Sequence, residues 1–566
     1  MRVKILIIFL LLSNRLLSQT ESFPQYPNPV KIPVFLSATF GEIRTNAFHA
    51  GVDIRTQGVE GKEVFAVADG YVSRIGVSPF GYGKVLYITH NDGFTSVYAH
   101  LSKFNKKIGE FVKDKQYEEK SFAQNIILEE GQFPIKRGDF LGFTGNSGGS
   151  GGPHLHYEIR YTETQEPVNP MFFGLKIKDA KKPCIKGLAI YPLENSSVNG
   201  QNSAVYLDVK NEDNTYFIDN DVFKVNGDIA FGINVFDQAD GSNNKNGPYS
   251  IELFVEDVLT FSVISYKYSY SETRYVNSLI DYQYFKRNKE RFIRTEIDEF
   301  NELKIYEETN GVINVNQGDT LNIKYVVKDY NDNVSTLDFV LIGEEKPVFE
   351  NNEILSRLYH RIFDGEAAEI SMDGFEAEIP EYAFYKNVAI EISQIDTLGN
   401  IFSYYAYQLG NEEIPLHKRI KIRIMPDDRF AGDTSLYVAS VNSDGSYSFL
   451  GNKFVDGYIE AQTNVLGTYV IVKDTVMPIV KPVNFKNKSS ISDNWSLRVE
   501  IEDKETGIAK YDMYVNDEWV LADYDAKNKL LIYQIDNHVK KGRNTFKVIV
   551  TDMIGNMTVY STALIR

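Results

Sequence analysis

A single cysteine, Cys184, is present in the 566-residue chain, so no intrachain disulfide can form and no N-terminal cysteine is available for a lipid. Positive charge is scarce as well: 60 Lys and Arg against 77 Asp and Glu leave a formal charge of −17. Nucleic-acid binding draws on lysines and arginines that displace counterions, so a nucleic-acid partner is not expected. Beyond the N-terminus no uncharged apolar run reaches bilayer length, and no transmembrane anchor is expected. Histidine is also sparse, with 8 residues in all.

The chain is rich in tyrosine and phenylalanine, 36 of each, and in β-branched residues, which fit pleated surfaces. The expected fold is mainly β. At ~100 to 200 residues per domain the length suits roughly three to five units. The start, MRVKILIIFLLLSNRLLSQ, has basic residues, a short apolar run and then a polar stretch, which is the grammar of a signal peptide over residues 1–19. Cleavage there removes Arg2, Lys4 and Arg15 and no acid, taking the charge from −17 to −20. Export without disulfides suits a bacterial host, in the periplasm or at the cell surface.

Five of the eight histidines (His49, His90, His100, His154, His156) precede residue 160, which places any chemistry in the N-terminal region, residues 20–177. Short strands separated by turn residues are expected there: Val64 to Ile75, broken at Asp69-Gly70, then a hairpin of Lys84 to His90 and Phe94 to Leu101, and later Phe140 to Thr144. The polar stretch Lys106 to Glu130 reads as a loop insertion carrying a short helix. After Pro183 longer alternating strands follow. YVVKDYNDNVSTLDFVL at Tyr325 and VIVTDMIGNMTVYSTAL at Val548 share an Asp, a turn and an Asn between apolar strands, and FGINVFDQADG at Phe231 pairs with VEIEDKETG at Val499. That recurrence predicts immunoglobulin-like sandwiches over 178–345 and 476–566, flanking a β-rich module, 346–475, of unassigned fold.

The stretch GNSGGSGGPHLHYEIR from Gly145 carries the densest signal. On a strand, His154, His156 and Glu158 share one face while Leu155, Tyr157 and Ile159 enter the core. A His-x-His pair alone is common surface decoration, and neighbouring imidazoles on one strand do not easily serve one ion together, so further ligands are required. His49 and Asp53 in NAFHAGVDIRT are the best candidates, provided the chain bends at Ala50-Gly51. A shell of His49, Asp53 and His156 offers two imidazoles and a carboxylate with an open position, the composition of a catalytic zinc site. His100 and His154 then remain for proton transfer and oxyanion stabilisation.

The order His49-x-x-x-Asp53, Tyr98-Ala99-His100-Leu101 and His154-Leu155-His156, with the phrases FHAGVDI, VFAVADGYV, GYGKVLYITH and GDFLGFTGNSG, resembles the lysostaphin/LytM-like zinc metalloendopeptidases of bacterial peptidoglycan. The resemblance spans residues 35 to 172. It implies an antiparallel β metallopeptidase domain of duplicated hybrid motif type, with Zn2+ held by His49, Asp53 and His156, His100 and His154 as the catalytic pair, and peptidoglycan stem peptides or cross-links as substrate. All five positions match, which weighs against the alternative of a non-catalytic envelope protein that binds or activates another hydrolase. The C-terminal modules are expected to position the enzyme, cover its cleft or meet an envelope protein.

Other residues have plainer readings. His90 is expected at a solvated strand end. Arg44 and Arg160 are candidates for substrate carboxylates or simply solvated. The run GNSGGSGG is either a linker or a cleft edge that admits a peptide backbone. Tyr266, Tyr268, Tyr270, Tyr275, Tyr282 and Tyr284 suit strand packing or a stacking surface. Asp237, Asp240, Asp329 and Asp503 sit where a sandwich edge could take calcium or where turns simply favour Asp.

Overall fold

The structure, a computed structural model, describes residues 22–306, 310–347, 359–396, 399, 401–492 and 495–566. The signal peptide expected over 1–19 lies outside the described residues. Strands dominate, and the expected mainly β class is what the chain adopts. Thr320–Lys328 shows the cause: Ile323, Tyr325 and Val327 are buried while the residues between them are half-buried, the period of two that a strand with one core-facing side imposes.

The N-terminal region is built on an antiparallel sheet running Leu36–Ala38, Val52–Arg55, His154–Tyr161, Phe94–Leu101, Lys84–His90, Gly70–Val77 and Gln124–Ile127. A small sheet of Glu63–Phe65, Phe140–Phe143 and Lys103–Phe104 packs beside it. The Val64 to Ile75 segment is therefore two strands in different sheets, because the chain bends at Val67-Ala68-Asp69 and Gly70 lies against the Thr89 backbone, where a Cβ would stand 2.1 Å from the carbonyl oxygen. Within the polar insertion Lys106–Glu119 forms a helix of 14 residues. Asn105 caps it by accepting from Ile108 N at 3.0 Å, Ile108, Val112 and Gln116 bury one stripe, and Lys120 ends it at φ 47°.

Cys184–Pro192 opens the next unit, whose long strand Val222–Phe236 pairs antiparallel with Cys184–Pro192 and parallel with Val334–Gly343, so one strand serves two sheets. Two sheets follow between Tyr359 and Lys473, enclosing a core that includes Ile390, Tyr407, Ile422 and Ile471. The last unit packs two four-stranded sheets around Leu497, Val499, Tyr533 and Val548.

The cores are not independent. Phe40, Phe48 and Ala50, which flank His49, bury in the same cluster as Leu188, Phe231 and Tyr268 of the following unit. At the far end the C-terminal unit returns to the N-terminal region: Lys84 Nζ meets Asp523 at 3.0 Å, Tyr117 Oη donates to Asp536 at 3.2 Å, and Lys527 Nζ donates to the carbonyls of Asn146 and Ser150. The tyrosine-rich segment is not strand beyond Ile264; it runs through turns and short helices. Its rings pack between units, Tyr266 on Phe172, Tyr268 on Phe40 and Phe48, and Tyr275 on Tyr385 and His417. Among the described residues no helix is long and apolar enough to cross a membrane.

Candidate metal centre

Register builds the centre. His156 lies directly opposite Asp53 on one neighbouring strand and Ala99 on the other, and Leu155, Tyr157 and Ile159 bury on the opposite face. The bend at Ala50-Gly51 brings His49 round, and it requires glycine: a Cβ on Gly51 would lie 2.3 Å from the Tyr157 carbonyl oxygen and 2.8 Å from Glu158 Cγ. His49 Nε2, Asp53 Oδ1 and His156 Nδ1 form a triangle with edges of 3.1, 3.1 and 2.9 Å. Ligands ~2.0 to 2.1 Å from a tetrahedral zinc stand about 3.3 Å apart, so the donor set fits the ion with small adjustments.

The outer bonds aim the lone pairs. His49 Nδ1 donates to the Thr39 carbonyl at 2.8 Å, leaving Nε2 as an acceptor that faces the centre. His156 Nε2 donates to Glu158 Oε1 at 2.7 Å, which leaves Nδ1 facing the same point. Burial opposes charge on His156, but Asp53 and Glu158 outweigh it and raise its pKa to about 9. The carboxylates that favour a proton on His156 favour a dication at the same point. Burial pushes the Asp53 carboxyl up, yet the imidazoles of His154, His156 and His49 packed against it hold it below the usual carboxylate range.

Glu158 is fully buried, and four groups hold it: His156, Tyr82 Oη at 2.5 Å, Tyr270 Oη at 3.1 Å, and Arg160 with Nε at 2.7 Å. Burial alone would raise its pKa, but the Arg160 guanidinium and His156 keep it at about 2. Arg160 is 6 % exposed and lies over the rings of Tyr270 and Tyr87, so it orders Glu158 and does not face substrate. Arg44 is the exposed arginine, 3.5 Å from Asp53 Oδ2. Tyr82 lies in the GYGKVLYITH phrase and Tyr270 in the tyrosine-rich segment, but neither stretch marks its tyrosine as a site residue; Tyr270 reaches the site from the following unit, 112 residues from Glu158.

His100 and His154 stand beside the centre, with ring centroids 4.7 Å apart. Strand alternation would turn His100 away, since Ala99 shares the His156 face. A register shift against Lys84–His90 and φ 59° at His100 redirect it, a left-handed conformation that histidine tolerates better than most residues. The glycine-rich loop then sets both rings: His100 Nδ1 donates to the Ser147 carbonyl at 2.9 Å and His154 Nδ1 to the Gly152 carbonyl at 2.9 Å. Each Nε2 is left toward the cleft, with His154 Nε2 3.4 Å from Asp53 Oδ1. Burial, then His154 and His156, lower the His100 pKa to about 3. The loop is therefore a built part of the site. Gly148, at φ 69°, approaches Gly81 so closely that a Cβ would stand 2.4 Å from its carbonyl oxygen.

His90 is a correction. It is 4 % exposed, with Nδ1 on the Asp69 carbonyl at 3.0 Å and Nε2 on Ser96 Oγ at 2.7 Å. It is a buried link between strands, not a solvated end, because the Tyr26 ring packs against it at 5.7 Å and both ring nitrogens are bonded within the sheet.

Residues 47–117 match Peptidase family M23, and residues 364–474 match a Zu5-like domain. The DD-carboxypeptidase/endopeptidase Mpg of Neisseria meningitidis is 32% identical over 133 residues, 24% of this chain and 24% of that protein. The murein hydrolase activator NlpD of Escherichia coli is 31% identical over 133 residues, 24% of this chain and 27% of that protein. The glycyl-glycine endopeptidase ALE-1 of Staphylococcus capitis is 32% identical over 111 residues, 19% of this chain and 24% of that protein. The chain thus spans about a quarter of the length of these relatives, and an M23-family domain occupies its N-terminal region.

Proposed function

We propose that the protein is an exported zinc-dependent endopeptidase acting on peptide bonds of cell-wall peptidoglycan, in stem peptides or cross-links. The observation that carries this reading is the convergence of His49 Nε2, Asp53 Oδ1 and His156 Nδ1 within 3.1 Å of one another. Zinc bound there supplies a Lewis acid for the scissile carbonyl and a water of lowered pKa. Glu158 holds His156, and the Thr39 carbonyl holds His49, so both rings are oriented before any ligand arrives. His100 and His154, each with Nε2 toward the cleft, serve as the proton acceptor and the stabiliser of the oxyanion. The carbonyls of Ser147 and Gly152 accept from Nδ1 of each ring, which leaves Nε2 of the base free to take a proton, while the ring that stabilises the oxyanion acts with its Nε2 protonated.

The M23-family match and the endopeptidases among the relatives support this reading. The domain division that goes with it is 20–177 for the metallopeptidase, 178–345 and 476–566 for immunoglobulin-like sandwiches, and 346–475 for the module between, in which the Zu5-like match falls. A non-catalytic role is the second reading, favoured by the similarity to a murein hydrolase activator. Metal analysis with mass spectrometry of fragments released from purified peptidoglycan separates the two. Wild type is expected to carry zinc and release cleaved peptides, His156→Ala to lose both, and His100→Ala to keep zinc and lose turnover. Peptide cleavage by a zinc-free His156→Ala protein would overturn the proposal.

A further inference from the structure

Two carboxylate clusters lie outside the centre just described. Asp179, Asp237 and Asp329 bring one oxygen each within 4.8 Å of one another, as do Asp474, Asp503 and Asp552. They occupy equivalent places in two units. Asp179 and Asp474 lie on the segments leading into Cys184–Pro192 and Ile479–Pro482. Asp237 and Asp503 follow strands Val222–Phe236 and Ser496–Glu502, each with a glycine four residues later, while Asp329 and Asp552 close Thr320–Lys328 and Arg543–Asp552, each with an asparagine four residues later. Asp240 is outside both groups.

The turns are built alike. Asp329 Oδ1 accepts from Asn331 N and Asn333 N at 2.8 Å each, and Asp552 Oδ1 accepts from Ile554 N, Gly555 N and Asn556 N at 3.0, 2.7 and 2.8 Å. Asn333 Nδ2 reaches the Asp179 carbonyl at 3.3 Å, and Asn556 Nδ2 the Asp474 carbonyl at 3.4 Å.

Such turns explain themselves without an ion, but the oxygens left over do not. Asp237 Oδ1 and Asp552 Oδ2 are buried and have no hydrogen-bond partner, and the residues are 5 % and 1 % exposed. Asn246, 2 % exposed and paired through its backbone with Asp237, leaves both side-chain atoms unpartnered. A cavity of about 40 Å³ is lined by Asp179, Asp237, Asp329, Asn246 and Asn331, roomy enough for an ion and a water. None of the six carboxylates forms an ion pair among the described residues, and Lys181 gives its ammonium to the carbonyls of Ala239 and Ser242.

We propose that each cluster is a calcium site, one at Asp179, Asp237 and Asp329 and one at Asp474, Asp503 and Asp552, that ties the incoming segment to the unit it enters. Only oxygen donors are present, with neither imidazole nor thiolate, which selects a hard cation. Three carboxylates, joined at the first cluster by the unpartnered Asn246 amide oxygen, suit calcium better than magnesium, which demands an octahedron and retains its waters.

The test is equilibrium dialysis of the full zinc-loaded chain against about 1 mM CaCl2, the range in which extracellular calcium modules fill, with metal analysis of the protein. Wild type is expected to hold two calcium ions above the level of the Asp237→Asn/Asp552→Asn double variant, and each single variant one. Equal zinc content in all four proteins shows that the substitutions leave the fold intact. The melting temperature of wild type rises with CaCl2, and that of the double variant does not. No calcium uptake by wild type, uptake unchanged in the double variant, or equal uptake from MgCl2 would overturn the proposal.

Discussion

Tyr270 Oη donates to Glu158 Oε2 at 3.1 Å, although Tyr270 belongs to the unit that follows the M23-family domain. Glu158 in turn orients His156, so a residue two links from the metal position is held by a neighbouring unit.

Tyr270→Phe removes one of the partners of Glu158 while Tyr82 and Arg160 remain. Zinc affinity is expected to fall by less than the roughly 10- to 100-fold that loss of an outer-shell partner brings, and Glu158→Gln, which cancels the charge facing His156, to reach that range. Competition with a chromogenic chelator measures both. An unchanged affinity in Glu158→Gln would show that His156 needs no such support.

Gly51→Ala forces a Cβ to within 2.3 Å of the Tyr157 carbonyl oxygen. Neither backbone can retreat without breaking the pairing of Val52–Arg55 with His154–Tyr161, which sets Asp53 opposite His156. The variant is expected to lose about 1 to 3 kcal/mol of stability and to bind zinc poorly, by chemical denaturation and metal analysis. The same change at Gly58, where space is open but φ is 75°, costs backbone strain alone and should leave zinc binding intact.

Truncation after residue 177 uncovers Phe40, Phe48 and Ala50, which bury in the core of the following unit on either side of His49. Phe48 N also loses its 2.8 Å bond to Thr273 Oγ1. The shortened protein is expected to be less soluble and to lose zinc faster than one ending at residue 345. Equal zinc retention in the two would show that the His49 bend holds itself.

His417 should make the chain sensitive to acid. Burial, then Arg274 and Lys418, lower its pKa from 6.5 to about 4, its ring stacks on Tyr275 at 4.2 Å, and its Nδ1 is buried without a partner. The unfolded chain binds this proton more readily than the folded one, so stability is present above pH 6.5 and lost as pH falls toward 4. Calorimetry across that window is expected to show a steeper loss for wild type than for His417→Phe. Parallel curves would assign the acid sensitivity elsewhere.

The centre was largely legible because its signals are local. Period-two alternation in His154–Tyr161 put both histidines and Glu158 on one face, and the glycine after His49 marked the bend. His100 defeated that logic, since alternation aims it away and a left-handed φ with a register shift brings it back. His90 misled for a related reason: a turn signal predicts exposure, but burial depends on what folds over the turn. The Asp-turn-Asn recurrence was visible in the chain, whereas Asp179 and Asp474 had no pattern to betray them.

Sequence alone determined which side chains are available and, through strand alternation and glycine placement, which faces they take over a few residues. Tertiary structure decided which distant segments meet: Tyr270 against Glu158, Phe48 in a neighbouring core, and three aspartates at each junction. Alternation is imposed by backbone geometry between adjacent residues, but these meetings depend on how whole sheets pack, which no short stretch encodes.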